Sequence, residues 1–463
     1  MRKTINLLIL IFSFFFIFGC EEKGIPEDVN TVNIFTMNDT HGAFVTDGFS
    51  GMEKVASVIN NMEKDFGKFL KITTGDIFQG TYVSNINYGI PLLEALNLLK
   101  FDAFVIGNHE FDWGIEKISQ YKDNDSRNGE ADFPFLAANI VYKESKERLP
   151  WTEDYVILEN NGYKVGIIGV IGHNLESSIS SDKVADYEFL NPRSIVQELS
   201  FSLRSEFECD IVVVATHSYD DWEINDYLQL PNESRIDGII TGHNHQKLST
   251  KHLRSDGYYV PVIQCDDKNE NVGGIIIEMD DEKSPVKATI RHYNPSEYRN
   301  DRGMLDLIDK YSSDINEGNR NIGYTTETLY QGKIGTEITK AMVEKFGGTA
   351  AFINTGGVRT TLQRGNIRIK DIFEVFPFDN RIVLTSLKGS VLKDLYHKQG
   401  QSLYFDPYFQ VSKINDDLTY DVITIDYIFT GSNFLKYFKT SPREDDVLMR
   451  DLFIDYIEDF YKK

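Results

Sequence analysis

The chain has 463 residues, 41% of them hydrophobic, and carries a formal net charge of −23 at pH 7. That length exceeds what one hydrophobic core supports, so two domains are expected. The acidic balance argues against nucleic acid as a partner, because binding along a phosphate backbone runs on Lys and Arg neutralisation.

Taken in chain order, Arg2 and Lys3 precede an apolar stretch over 5–18 that ends at Gly19 and Cys20. Only about 14 residues are apolar where roughly 20 are needed to span a bilayer, so the stretch reads as a secretory signal, with an uncleaved anchor helix as the alternative. Ile17, Phe18 and Gly19 before Cys20 resemble the lipobox of bacterial lipoproteins. The resemblance implies a signal peptide over 1–20, a lipidated Cys20 and a polar tether over 21–30. The body would then lie outside the cytoplasm, held by its lipid to a bacterial membrane on the periplasmic side or at the cell surface.

Residues 31–293 alternate short apolar runs with amphipathic stretches. Five of the runs end on residues of metal-ligand type: VNIFTMNDTH on Asp39 and His41, FLKITTGD on Asp76, FDAFVIGNHEFD on Asn108, His109 and Asp112, IVVVATH on His217, and IDGIITGHNH on His243 and His245. Runs of that length read as buried strands, and in open α/β sheets chemistry gathers just past the carboxyl ends of the strands. Met52, Val55, Ala56, Ile59 and Met62 recur at helical spacing between the first two runs. Further strands are expected near 163–172 and 271–280, so the fold class is α/β, a four-layer αββα domain of two sheets covered by helices. Cys209 and Cys265 flank predicted strands, as buried thiols or as one disulfide, and carry no metal spacing. The polar, turn-rich stretch around NPSEYRNDRG opens a linker over 294–323 containing a helix. Residues 324–463 bring their own helix, IGTEITKAMVEKF, and strand, AAFINTGG, and form a smaller α/β (α+β) domain.

A ligand shared by two metals must offer two oxygens at short range, which Asp76 can do and a histidine cannot. Asp39 and His41, two residues apart at a strand end, can clamp one metal; Asn108 offers a carbonyl oxygen, and His217, His243 and His245 offer imidazoles. Mixed oxygen and nitrogen donors with few carboxylates suit two divalent ions of Mn, Zn, Co or Fe better than Ca. Two such cations held by two carboxylates leave a locally positive spot in an acidic protein, where an anionic substrate can settle. His173 also follows an apolar run and is assigned no role.

The segments NDTHG, GDIFQG, GNHEFDWG, THS and GHNHQ resemble the motifs of calcineurin-like metallophosphoesterases. With NTGGVR and PFDN following, the chain resembles the two-domain 5'-nucleotidase family. The resemblance implies that Asp39, His41, Asp76 and His245 hold one metal, and Asp76, Asn108, His217 and His243 the other. It implies that His109 stabilises the transition state or protonates the leaving oxygen, with Asp112 orienting it. In the second domain it implies that Asn354, Arg359 and Asn433 hold a small-molecule nucleotide whose base lies between Phe378 and Tyr427. The implied reaction is release of phosphate from nucleoside 5'-monophosphates. The alternatives on the same site are 2',3'-cyclic nucleotides or UDP-sugars, and a surface lipoprotein that only binds is a further one. Two departures bear on the pocket: Thr328, Tyr330 and Gly335 stand in a segment where relatives carry arginines, and Gly431, Ser432, Asn433 stand where relatives read Gly-Gly-Asp. The oligomeric state cannot be read from these residues.

Overall fold

The computed structural model describes residues 30–430, 434–438 and 443–462. The signal-like stretch with Cys20, the tether up to residue 29, and Gly431, Ser432 and Asn433 lie outside the described residues. Among the described residues no helix is long and apolar enough to cross a membrane.

Two sheets stand face to face in the first domain. One runs in the order Pro285–Tyr293, Val272–Met279, Thr31–Met37, Leu70–Thr73, Ala103–Val105, Phe135–Leu136, Thr152–Glu153, and the other Leu248–Leu253, Tyr259–Gln264, Gly238–Ile240, Ile211–His217, Tyr163–Ile171, Tyr155–Asn160. Their central strands pair in parallel, and antiparallel strands close every edge except that at Thr152–Glu153, which pairs in parallel with Phe135–Leu136. A parallel strand buried on both faces reads as a continuous apolar run, and every residue of IVVVATH is buried. Side chains alternate between two cores: Val32 and Ile34 point between the sheets with Val165 and Val213, while Phe35 and Met37 point to the covering helices. Where the sheets approach closely there is no room for a side chain, since a Cβ on Gly169 would lie 2.2 Å from the Cβ of Leu136.

The helix Met52–Phe66 buries Met52, Val55, Ala56, Val58, Ile59 and Met62 over the first sheet. The helix Pro192–Ser205 covers the second; Asn191 caps it by accepting from Arg193 N at 3.0 Å, and Pro192 sits at its first position, where the missing N–H costs nothing. The architecture is therefore αββα.

The stretch expected as linker holds two helices, Arg302–Lys310 and Ser312–Gly318. Asp301 caps the first by accepting from Met304 N at 3.0 Å. Met304, Ile308 and Tyr311 enter the core of the first domain, where Tyr311 meets Phe44 edge-on at 5.4 Å and its hydroxyl donates to Glu94 at 2.7 Å. Asn321–Thr325 then pairs with Gly365–Arg368 in the second domain. That domain has a five-stranded mixed sheet in the order Leu403–Phe405, Ala350–Asn354, Thr419–Ile425, Arg381–Lys388, Arg443–Leu448. The helices Gln331–Phe346 and Met449–Phe460 complete a separate core. Cys209 and Cys265 are buried free thiols, which removes the disulfide alternative.

Candidate metal centre

Each residue of ligand type sits at or just past the carboxyl end of a strand: Asp39 and His41 after Thr31–Met37, Asp76 after Leu70–Thr73, Asn108 after Ala103–Val105, His217 closing Ile211–His217, and His243 and His245 after Gly238–Ile240. Five of them hold a left-handed backbone: Asp39 (φ 49°), His41 (45°), Asp76 (56°), His243 (86°) and His245 (56°). Such conformations cost roughly 1–3 kcal/mol each and persist only where the surroundings enforce them. Here the loops hold one another, with Asp39 N donating to Gly75 O and His41 N to Asp76 O, both at 3.0 Å. Glycine lets the loops close: a Cβ on Gly107 would stand 2.4 Å from Asp76 Oδ1, and one on Gly75 would stand 2.8 Å from His217 Nδ1.

The turns bring two ligand groups together. Asp39, His41 and His245 form one, Asp76, His217 and His243 the other, with the ligand atoms of each group within 4.8 Å of one another. Asn108 joins the second, its Oδ1 lying 3.1 Å from His217 Nε2 and 3.0 Å from His243 Nδ1. Asp76 Oδ1 accepts from His109 N at 2.8 Å, and Oδ2 faces His217 Nε2 at 3.1 Å.

The donor set fits divalent cations. Asp39 Oδ1 and Asp76 Oδ2 are buried without a hydrogen-bond partner. His41 Nδ1 faces Gln79 O at 3.2 Å and His217 Nδ1 faces Thr74 O at 2.6 Å, contacts in which each imidazole donates from Nδ1, so that Nε2 is the atom each would present to a metal. His41 Nε2 meets His245 Nε2 at 3.0 Å. Burial, then the neighbouring His109, holds His41 well below the usual imidazole range; burial and His217 hold His243 down to about 4, so both are neutral, as ligation requires. Burial opposes protonation of His217 too, but the Asp76 charge outweighs it and raises the group to about 10.

His109 Nδ1 lies 2.8 Å from Asp112 Oδ2. Burial alone would lower His109, yet Asp112 and then Asp76 raise it to about 9, so the imidazole is a proton donor near neutral pH. One residue of the GNHEFDWG motif went unassigned in the sequence. Glu110 is fully buried and accepts three backbone N–H groups, from Asp76 (2.9 Å) and Gly107 (2.8 Å) at Oε2 and from Ile77 (3.0 Å) at Oε1. It clasps the two ligand loops together, and burial followed by the Asp76 charge pushes its carboxyl up to about 7. Nothing local marks it, since Glu110 stands among the polar residues Asn108, His109 and Asp112 and its partners Asp76 and Ile77 are distant in the chain.

The second domain closes over this centre. The Phe378 ring stacks on His109 with centroids 5.8 Å apart, and the Arg359 guanidinium lies 5.9 Å from the Phe378 centroid. A cavity of about 880 Å³ is lined by Asp76, Asn108, His109, Asp112, His243 and His245 from one domain and by Asn354, Arg359, Phe378 and Tyr427 from the other. Asn354 Oδ1 is buried there without a partner. Phe378 and Tyr427 are each half-buried.

A family model described as calcineurin-like phosphoesterase matches residues 32–247, and one described as 5'-nucleotidase, C-terminal domain, matches residues 311–415. The chain is 26% identical to Protein UshA of Yersinia enterocolitica, with 78% of this chain and 74% of that protein covered. It is 24% identical to a 5'-nucleotidase of Vibrio cholerae over the same shares. The crystal structure of the 5'-nucleotidase precursor from Thermus thermophilus matches with a TM-score of 0.77 at 20% identity, covering 94% of this chain and 97% of that one, a likeness of fold.

Proposed function

The chain belongs to the calcineurin-like phosphoesterases that carry a 5'-nucleotidase C-terminal domain, and on that premise we propose that it releases phosphate from nucleoside 5'-monophosphates outside the cytoplasm, tethered through a lipid on Cys20. One observation carries the substrate: the side chains of the metal centre and those of the second domain that suit a nucleotide line one cavity.

Asp39, His41, Asp76 and His245 would hold one divalent ion, and Asp76, Asn108, His217 and His243 the other. Bound in pairs, such ions polarise phosphoryl oxygens and lower the pKa of water. The protein's own part is placement and proton transfer. Asp112 holds His109 by Nδ1, leaving Nε2 to protonate the departing 5'-oxygen. Phe378 and Tyr427 receive the base, while Arg359 supplies charge to the phosphate. The buried Asn354 Oδ1 offers an acceptor for a ribose hydroxyl.

Phosphate release from AMP by the Mn- or Zn-loaded chain tests the reading. A panel adding 2',3'-cyclic nucleotides and UDP-glucose decides the substrate; turnover of either ahead of every monophosphate overturns it. For the tether, Cys20→Ala is expected to move the protein from the membrane to the soluble fraction.

A further inference from the structure

The first domain carries its metal ligands at one pole, and the opposite pole, where the parallel strands begin, bears exposed apolar side chains. Leu253 closes the strand Leu248–Leu253 and pairs with Tyr259 at the start of the next; the two are 63% and 53% exposed. Val286, 55% exposed, stands at the start of Pro285–Tyr293 in the other sheet. Lys251 Nζ donates to Ala288 O, which joins these edge strands and sets Leu253 beside Val286, each two residues nearer the pole. Leu98, ending the helix Ile90–Leu98, and Phe207, shortly before Ile211–His217, are exposed at the same pole. Large apolar groups gathered in water mark an interaction surface.

The chain enters the domain at this pole. Asn30 O accepts from Met279 N at 2.8 Å, and Thr31, Glu278 and Lys287 stand side by side on adjacent strands. Neighbouring strands lie about 4.8 Å apart, so the entry point is about 10 Å from the strand of Val286. The segment from Cys20 to Asn30 reaches about 35 Å at full extension. A lipid on Cys20 therefore keeps this pole close to the bilayer. The charges around the apolar patch are paired, Arg254 with Asp256 at 2.7 Å and Lys287 with Glu278 at 2.6 Å, so the patch is near neutral in a chain of net charge −23. The turn beside Asn30 is acidic at Asp281 and Glu282, which disfavours an anionic surface.

We propose that this pole rests on a zwitterionic bilayer, with Leu253, Tyr259 and Val286 seated in its interfacial layer. A tyrosine suits that depth, since its ring leaves water while its hydroxyl stays wet. Apolar contact next to a lipid anchor supplies the second signal that makes membrane attachment stable. The metal centre then faces away from the membrane. The strand Thr31–Met37 rises about 3.3 Å per residue, which sets the ligands at its tip about 20 Å from the bilayer side and open to a soluble substrate. The inference rests on the lipid-tether reading and is independent of which phosphoester is cleaved.

The test uses the full chain in phosphatidylcholine vesicles, with Val286→Cys and, on the second domain, Lys413→Cys as control, each labelled with a polarity-sensitive dye. Cys209 and Cys265 are buried and do not compete for the label. Blue-shifted emission and quenching by spin-labelled lipid are expected at position 286 and neither at 413. In the Cys20→Ala background, the added triple change Leu253→Ser, Tyr259→Ser, Val286→Ser should lower cosedimentation with vesicles by about tenfold. Water-like emission at 286 on vesicle-bound protein refutes the seated pole and leaves the tether standing. A blue shift that grows with protein concentration in the absence of vesicles makes a second copy of this chain the occupant and likewise overturns the proposal. If the intact mass shows no lipid on Cys20, the tether reading falls and cosedimentation alone decides: a tenfold loss in the triple variant upholds the pole, and equal cosedimentation refutes it.

Discussion

His109 has an aromatic ring on one side, a carboxylate on its Nδ1, and its own backbone N–H on Asp76 Oδ1. If its work is proton transfer rather than ligation, His109→Asn should lower kcat by about 10²- to 10⁴-fold. Metal content measured by atomic emission should remain at the parent's value, and lost metal would mean that the residue acts by holding the site. Glu110 separates from it cleanly, since it touches backbone only. In Glu110→Gln one oxygen can still accept from Asp76 N and Gly107 N, but the amide then faces the Ile77 N–H. An unsatisfied buried donor costs about 1–3 kcal/mol, so a lower urea midpoint and weaker metal retention are expected together. Unchanged values for both would show that the clasp is dispensable.

At the level of the strand end, the ligands depend on turns that tolerate nothing bulky. Gly107→Ala places a methyl 2.4 Å from Asp76 Oδ1 and 2.6 Å from Asp76 N. The carboxylate must move, so the variant should retain its far-ultraviolet circular dichroism yet bind fewer than two ions per chain. The same geometry explains what could be read from the amino acids alone. Strands buried on both faces leave an apolar run, and IVVVATH and IDGIITGHNH announce both the strand and the ligands at its tip. Phe135–Leu136 and Thr152–Glu153 are two residues each, too short to leave a pattern. The helix Arg302–Lys310 follows a polar turn and so reads as linker, because nothing local reveals that Met304 and Ile308 pack on the first domain's core. Glu110 escaped for a related reason: its role arises from contact with Asp76, 34 positions away in the chain.

For the molecule as a whole, the centre ties stability to metal and activity to closure. A cation that binds only the folded chain adds about 2.7 kcal/mol at a hundredfold excess over its Kd. Chelation should therefore lower Tm, and titrated Mn or Zn should restore it in a concentration-dependent way; a Tm indifferent to chelator would contradict the two ligand groups. Closure has its own fastening. Gln79 Nε2 and Asn85 Nδ2, on the segment after Asp76, both donate to the carbonyl of Pro377, at 2.8 and 2.9 Å. That carbonyl immediately precedes Phe378, so the two amides fix the Phe378 ring against His109. Tyr82 meeting Phe373 edge-on at 4.8 Å, and Lys370 paired with Asp47, support the same contact from the side. Two neutral hydrogen bonds are together worth about 1–3 kcal/mol, which is roughly a 5- to 150-fold change in the closed population. The double variant Gln79→Ala, Asn85→Ala should thus raise KM for AMP about tenfold at unchanged metal content and increase the radius of gyration seen by small-angle scattering. If KM and radius both stay at the parent's values, the second domain is held over the metal centre by its packing and not by these amides.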